Sequence, residues 1–233
     1  MVVRALGVGK AAVRFLPGPK NKSFCMLKVG IMSKKDIKRI VNFIYETGNL
    51  QKTPRSGLWF LGTGKQSVAE HTLRTALIGW AISALVPKVN QEKVALMCLF
   101  HDLGEGRTSD LNYVHQRYGR LAESEAIGDI ARSVPFGKKI EALYLEFEKR
   151  KTIEAKLAKD ADQLEWISTL REEQAKGNVK AKLWAKYAYK RLKTSAGRKI
   201  GKLLLEINPD SWWLDVKDKW FIDRKEKYRK WRK

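Results

Sequence analysis

A short apolar run that ends in a histidine and an aspartate constrains the fold of this chain more than any other feature. Every residue from Val94 to Phe100 is apolar, His101 and Asp102 follow directly, and Gly104 interrupts the pattern. Such a run is typical of a buried helix, and a glycine just beyond it marks a helix C-terminus. Adjacent helical side chains diverge by about 100°, so His101 and Asp102 could share a metal ion only at a helix end. The sequence predicts that end here. A buried histidine beside a capping carboxylate is the alternative interpretation.

Two further segments can complete a set of metal ligands. The sequence Ser-Val-Ala-Glu at 67–70 reads as a capping box, which begins a helix and puts His71 in its first turn. Another helix is predicted over 152–174, and its apolar stripe runs beside Asp162. An unpaired carboxylate next to a buried stripe is costly, and a cation would remove that cost. Simple exposure of Asp162 on the flank of the helix is the alternative.

The order of these segments resembles the HD superfamily of metal-dependent phosphohydrolases, in which a histidine, a His-Asp pair and a lone aspartate follow one another. The resemblance is to the 5′-deoxynucleotidase branch. It rests on Ser-Val-Ala-Glu-His at 67–71, His-Asp-Leu-Gly-Glu at 101–105 and Lys-Asp-Ala-Asp-Gln at 159–163. It implies a phosphomonoesterase of nucleotide metabolism that hydrolyses deoxyribonucleoside 5′-monophosphates to deoxynucleoside and phosphate.

The resemblance implies one metal ion held by four ligands, His71, His101, Asp102 and Asp162. The chain has three histidines in all, and a dinuclear centre would need more imidazoles than His115 can add. Two imidazoles and two carboxylates suit a divalent transition metal ion (Mn²⁺, Co²⁺, Ni²⁺, Fe²⁺ or Zn²⁺) better than Mg²⁺ or Ca²⁺. We expect His115 to be a surface histidine or one with satisfied hydrogen bonds, not a ligand.

The same resemblance gives roles to four more residues. It implies that Glu105 is the general acid/base, that Arg55 meets the phosphate, and that Asp110 lies near the nucleotide sugar. It links Trp59 with a preference for deoxyribose over ribose. The alternatives are a solvated loop glutamate for Glu105 and a packed loop aromatic for Trp59.

Helix-favouring composition and apolar residues at three- and four-residue spacing predict an all-α protein, a single HD-domain helical bundle with basic extensions. The chain has 233 residues and six prolines, which suits one domain. We predict helices over residues 33–48, 67–86, 90–102, 121–134, 137–150, 152–174, 179–193 and 195–206, with loops at 49–66 and 104–119.

The charge of the chain divides it into three parts. We predict a basic, poorly ordered N-terminal extension at 1–31, an HD domain at 32–207 and a basic aromatic tail at 208–233. Translation could begin at Met26 or Met32, and a transit peptide or a nucleic-acid-binding arm are the alternatives for the first part. The net charge of +22 favours anionic partners such as nucleotides or nucleic acid.

Other activities stay open at this point. An HD enzyme could act on a ribonucleotide, a cyclic nucleotide or another phosphate ester, and a nucleic-acid-binding protein could be built on an HD core. A homodimer and nonspecific nucleic-acid contact through the basic ends are further expectations. Two cysteines argue against a disulfide framework, and no apolar stretch approaches the roughly 20 residues of a membrane span. We therefore expect a cytoplasmic protein without a membrane partner.

Overall fold

Helices make up the architecture of residues 32–214, which are the residues that this computed structural model describes. They are α1 (Lys34–Thr47), α2 (Val68–Ser83), α3 (Gln91–Phe100), α4 (Glu105–Thr108), α5 (His115–Tyr118), α6 (Glu123–Ser133), α7 (Gly137–Lys149), α8 (Ile153–Ala175), α9 (Val179–Lys190) and α10 (Ser195–Glu206). Within these residues there is no β-strand, only an isolated bridge between Pro54 and Ser67. The predicted all-α class is confirmed. The extension at 1–31 and the tail beyond Leu214 lie outside the described residues.

Polar side chains fix where the helices begin. At α2 the predicted capping box is present: the Ser67 amide donates to Glu70 Oε2 at 2.6 Å, and the Glu70 amide donates to Ser67 Oγ at 3.2 Å. Single side chains accept amide hydrogens at the starts of other helices, as the Asn90 and Thr152 side chains do at α3 and α8. These caps satisfy donors that the first turn of a helix leaves unpaired. No helix of residues 32–214 combines the length and apolarity that crossing a membrane requires.

The two predicted loops contain short helical turns that the sequence analysis did not anticipate. The first predicted loop, 49–66, contains a 3₁₀ turn at Ser56–Phe60 and most of another at Gly48–Gln51, and residues 104–119 include α4 and α5. An element of four or five residues is about one turn, too short for an apolar period to appear in the sequence. These turns matter because they position two predicted site residues. Arg55 directly precedes the 3₁₀ turn at Ser56–Phe60, and Glu105 is the first residue of α4.

The long helix α8 is the centre of the fold. It packs against α2, α3 and α7 and also against α9 and α10, so nearly its whole circumference is buried. The buried apolar residues around α8 form the main core of the described residues. A second apolar cluster includes Ile127 of α6 and Ile140 of α7. Phe100, at the end of α3, packs against both clusters. His101 follows Phe100 directly, so the predicted site lies where the two clusters meet.

One carboxylate of α8 has a purely structural position. Asp160 is buried, and its carboxylate accepts the amide hydrogens of Lys193 at 2.8 Å and Thr194 at 2.7 Å, together with the Thr194 hydroxyl at 2.7 Å. A Cβ at Gly197 would lie 2.3 Å from Asp160 Oδ2, so only glycine allows this approach. Asp160 therefore ties the start of α10 to α8.

We expect Asp160→Ala to lower the free energy of unfolding by about 3 kcal/mol, since each buried donor left unpaired costs roughly 1–3 kcal/mol. Chemical denaturation measures this change. Asp129→Ala is the control, because Asp129 pairs with arginines at the exposed surface and such pairs contribute at most about 1 kcal/mol. Equal losses in the two variants would contradict a structural role for Asp160.

Candidate metal centre and active site

Three buried side chains from three helices converge on one point. His71 comes from the first turn of α2, His101 from the residue after α3, and Asp162 from the middle of α8. The Nε2 atom of His71 lies 3.4 Å from His101 Nε2 and 3.3 Å from Asp162 Oδ1. One donor atom from each of the three residues lies within 4.8 Å of the others. The alternative of an exposed Asp162 is wrong, because this side chain is buried.

Asp102 is the fourth predicted ligand and lies beside this group. Its Oδ2 atom is 3.1 Å from His101 Nε2 and 3.4 Å from His71 Nε2, and it also accepts a hydrogen bond from Arg55 Nη1 at 3.2 Å. Burial raises the pKa of Asp102, but His101 and Arg55 lower it further than burial raises it. The structure thus brings all four predicted ligands together, with an ionised Asp102 on the side nearest Arg55.

Hydrogen bonds at the far ring nitrogens orient both imidazoles. His71 Nδ1 lies 2.6 Å from Glu165 Oε2, and His101 Nδ1 lies 2.7 Å from the Cys98 carbonyl oxygen. These oxygens only accept, so each Nδ1 carries a proton and each ring turns its Nε2 atom toward the other. Two facing Nε2 atoms and nearby carboxylate oxygens form a set of ligand atoms that fits a divalent transition metal ion.

The charges around the site favour a cation. Burial, followed by the nearby Arg55 guanidinium, lowers the pKa of His71. Hydrogen bonds to Asp162 and Glu165 outweigh both effects and raise that pKa to about 9. Burial raises the pKa of Asp162, whereas Lys159 and the hydrogen bond to His71 hold it well below its usual range. An ionised carboxylate therefore faces the imidazoles, and positive charge between them is stabilised.

Glu105, the predicted acid/base, is the first residue of α4 and is buried. Its Oε2 atom has no hydrogen-bond partner within residues 32–214, although it lies 4.0 Å from Arg55 Nη1. Burial, and then the negative charge of Asp102, raise the pKa of Glu105 to about 10. This carboxyl therefore carries a proton at neutral pH, which suits an acid in proton transfer.

Arg55 lies between Asp102 and Asp110, the last of the acidic residues predicted for the site. Its Nε atom is 3.7 Å from Asp110 Oδ2, and this carboxylate also accepts the Ser56 amide hydrogen at 3.0 Å. Nearby carboxylates outweigh burial and raise the pKa of the guanidinium, so Arg55 is always charged. The structure therefore brings Arg55 and Asp110 to the predicted ligands.

Trp59 lies apart from this arrangement. The residue is 59% exposed, and its ring meets the His115 ring edge-on with 6.1 Å between the ring centroids. Trp59 and Arg55 both line a groove, whereas the larger cavity over the predicted ligands includes Arg55 but not Trp59 in its wall. The link between Trp59 and sugar preference stays a prediction. His115 is exposed, as expected, and lies 3.1 Å from the Asn112 side-chain amide.

A cavity of about 990 Å³ opens onto His101, Asp102, Glu105 and Asp162. Its wall also includes residues that follow α7 and α9, among them Arg150 and Lys193. An acidic centre is thus reached through a space with basic residues on its wall, an arrangement suited to a cation at the centre and an anion above it.

Sequence comparison agrees with this geometry. The profile of the HD domain family matches residues 47–204, a span that contains every predicted site residue. The chain belongs to the HD domain family. As a member of that family it is a metal-dependent phosphohydrolase, and His71, His101 and Asp162 supply a donor group of the required kind.

Individual relatives give a more detailed comparison for this HD domain protein. It is 30% identical over 149 residues to 5′-deoxynucleotidase hdd1 of Schizosaccharomyces pombe, which covers 60% of this chain and 74% of that protein. It is 28% identical over 148 residues to 5′-deoxynucleotidase HDDC2 of Bos taurus, with coverage of 60% and 70%. Among solved structures, a conserved hypothetical protein from Pyrococcus furiosus superposes with a TM-score of 0.61 at 27% identity, over 72% of this chain and 99% of the other.

Glu165 is a site residue that the sequence analysis missed. It is fully buried and binds His71 through Oε2, while its Oε1 atom accepts hydrogen bonds from Gln66 Nε2 at 2.7 Å and Arg74 Nε at 2.9 Å. Burial raises its pKa, but the hydrogen bond to His71 contributes most to lowering it, to about 2. Its spacing of three residues from Asp162 puts both on one side of α8, a signal that could have identified it.

We expect Glu165→Gln to weaken binding of a divalent transition metal ion by about 10–100-fold, the usual effect of altering the partner of a histidine ligand. Chelator competition with Co²⁺ or Zn²⁺ measures this affinity without any activity assay. Glu172→Gln is the matched control, since Glu172 also binds Arg74, at 2.6 Å, but contacts neither histidine. Unchanged affinity in Glu165→Gln would contradict the orienting role of Glu165.

Proposed function

We propose that this HD domain phosphohydrolase is a 5′-deoxynucleotidase, which converts deoxyribonucleoside 5′-monophosphates to deoxynucleosides and inorganic phosphate. One observation supports the proposal: Arg55 lies within 4.0 Å of Asp102, Glu105 and Asp110, so the residues proposed to bind phosphate, hold the metal ion and transfer the proton line one cavity. The names of the two relatives support the same substrate class.

His71, His101, Asp102 and Asp162 are the proposed ligands of one divalent transition metal ion. Such an ion, when bound, polarises a phosphoryl oxygen and makes water a stronger nucleophile at neutral pH. The protein contributes the orientation of the donors. The Nδ1 atoms of both histidines already donate hydrogen bonds, so neither imidazole has to rotate when a metal ion binds.

Arg55 is the proposed phosphate-binding residue. A guanidinium can donate two parallel hydrogen bonds to a phosphoryl group, which fixes the orientation of that group as well as its position. The side chain is already held between Asp102 and Asp110, at 3.2 Å and 3.7 Å. Little further ordering is therefore needed when a phosphate binds.

Glu105 is the proposed residue for proton transfer. Water attacks phosphorus, the bond from phosphorus to the 5′ oxygen breaks, and that oxygen needs a proton to leave as a hydroxyl. A buried carboxyl that holds a proton at neutral pH can supply it, and the resulting carboxylate can accept a proton in the same cycle. Asp110 is proposed to contact the sugar, and Trp59, from the adjoining groove, to contribute to deoxyribose selection.

A panel of phosphate esters tests the proposed substrate class. We expect the protein, loaded in turn with Mn²⁺, Co²⁺, Ni²⁺, Fe²⁺ or Zn²⁺, to hydrolyse deoxyribonucleoside 5′-monophosphates faster than the ribonucleotides. Phosphate release measures each rate. Hydrolysis of cyclic nucleotides or triphosphates without hydrolysis of any 5′-monophosphate would contradict the proposal.

Two variants separate proton transfer from metal binding. Glu105→Gln keeps volume but cannot exchange a proton, so turnover should fall on the order of 10²–10⁴-fold while metal content stays near one ion per chain. Asp162→Ala should lose metal and activity together. Metal analysis beside steady-state kinetics distinguishes the two. Loss of metal from Glu105→Gln would make Glu105 a ligand, and full activity would exclude it from proton transfer.

The charge of the chain keeps a second candidate open, a nucleic-acid-binding protein on an HD core. Homodimerisation and nonspecific nucleic-acid contact through the basic ends also stay predictions. The ends that motivated the nucleic-acid predictions lie largely outside the described residues.

A further inference from the structure

Several cations on the wall of the active-site cavity have no role in the proposed hydrolysis of a mononucleotide. Arg150 follows α7, Lys156 lies on α8, Lys190 ends α9, and Lys193 lies between α9 and α10. All four line the same cavity as Arg55, His101 and Glu105. They therefore face the space that a substrate enters.

These cations lack carboxylate partners. Many basic residues of the molecule are paired: Arg39 with Asp36, Arg74 with Glu172 and Lys93 with Glu146. Among the ion pairs formed within residues 32–214, none includes any of the four cavity cations. Unpaired positive charges along a concave wall generate a potential that attracts anions.

The sequence around α9 and α10 carries the same bias. Residues 174–205 contain ten lysines and arginines and no aspartate or glutamate, whereas the whole chain has 25 acidic residues among 233. At that frequency, three or so acidic residues would be expected in a segment of this length. The bias is therefore local, and at Lys190 and Lys193 it reaches the active-site cavity.

The cavity is also large for one nucleotide. Its volume of about 990 Å³ is at the upper end of the roughly 300–1,000 Å³ typical of small-molecule sites. A mononucleotide carries one phosphate, which Arg55 and the proposed metal site already accommodate. The basic wall is then left without an anion to bind.

We infer that the cavity accepts a 5′-phosphorylated deoxynucleotide that carries a second phosphate on its 3′ oxygen. The inference rests on the proposed function, because the 5′-phosphate is the group hydrolysed. Water attacks the 5′ phosphorus, the bond to the 5′ oxygen breaks, and this oxygen takes up a proton. The 3′-phosphate binds the basic wall and stays on the product. A deoxynucleoside 3′,5′-bisphosphate and a 5′-phosphorylated oligodeoxynucleotide share this chemistry.

Substrate comparison with the metal-loaded full chain tests this inference. The substrates are deoxyadenosine 5′-monophosphate, its 3′,5′-bisphosphate, a 5′-phosphorylated deoxydinucleotide and the 5′-triphosphate. We expect kcat/KM for the bisphosphate to exceed that for the monophosphate by about tenfold, as charge-assisted hydrogen bonds can provide, and we expect rising salt to reduce this ratio. A comparable gain for the dinucleotide would identify oligonucleotides as substrates, and a gain for the bisphosphate alone would identify free bisphosphates.

A pair of double variants assigns the effect to the cavity wall. Lys190→Gln with Lys193→Gln should bring the ratio of bisphosphate to monophosphate kcat/KM down toward one. Lys182→Gln with Lys186→Gln removes the same charge from exposed positions of α9 that do not line the cavity, and should keep the ratio near ten. A ratio is used because it cancels differences in the fraction of active enzyme.

The outcomes separate this inference from the proposed function. Hydrolysis of the monophosphate with no gain from a 3′-phosphate overturns the inference and leaves the 5′-deoxynucleotidase proposal in place. A gain from the 5′-triphosphate alone also overturns it, as does an equal loss of ratio in both double variants. Failure to hydrolyse the monophosphate and the bisphosphate alike contradicts the proposed function itself.

Discussion

The site depends on two imidazoles that point their Nε2 atoms at each other across 3.4 Å. Two nitrogen lone pairs at this distance repel unless a proton or a metal ion lies between them. The rings cannot turn away, because the Nδ1 atoms of His71 and His101 are each bound to a fixed acceptor. The helices that hold these acceptors therefore maintain a donor set that a cation stabilises. An ordinary buried histidine needs no such arrangement.

Charge of alternating sign surrounds this centre. The ligand carboxylates favour a cation, Arg55 lies among three acidic side chains, and the cavity wall carries cations without carboxylate partners. Buried charges are costly unless they are paired, and here Glu165 is paired with Arg74 and Asp162 with Lys159. The centre can thus be strongly acidic within a chain of net charge +22. Cations without carboxylate partners on the cavity wall then remain available to attract an anion rather than to neutralise the centre.

Much of this arrangement could be predicted from local sequence, because its signals are local. The capping box that begins α2, the helix end at the His101-Asp102 pair and the stripe beside Asp162 each depend on neighbouring residues. Glu165 has only its three-residue spacing from Asp162 as a local signal, and its partner His71, which defines its role, is 94 residues away in sequence. Tertiary packing likewise determines that the Trp59 ring lies in the adjoining groove rather than in the cavity, and that the single turn of α4 buries Glu105. Tertiary contacts of that kind leave no periodic pattern in the sequence.

Two aspartates of α8 illustrate how the fold and the site are linked. Asp160 and Asp162 are two residues apart and therefore point about 200° apart around the helix. Asp160 binds the backbone at Lys193 and Thr194, whereas Asp162 faces the histidines. Because Asp160 fixes the loop after α9, it also fixes Lys193 at the cavity wall. One turn of α8 thus positions both the acidic centre and part of the basic wall, so the distance between the two regions is set by a rigid helix rather than by a loop.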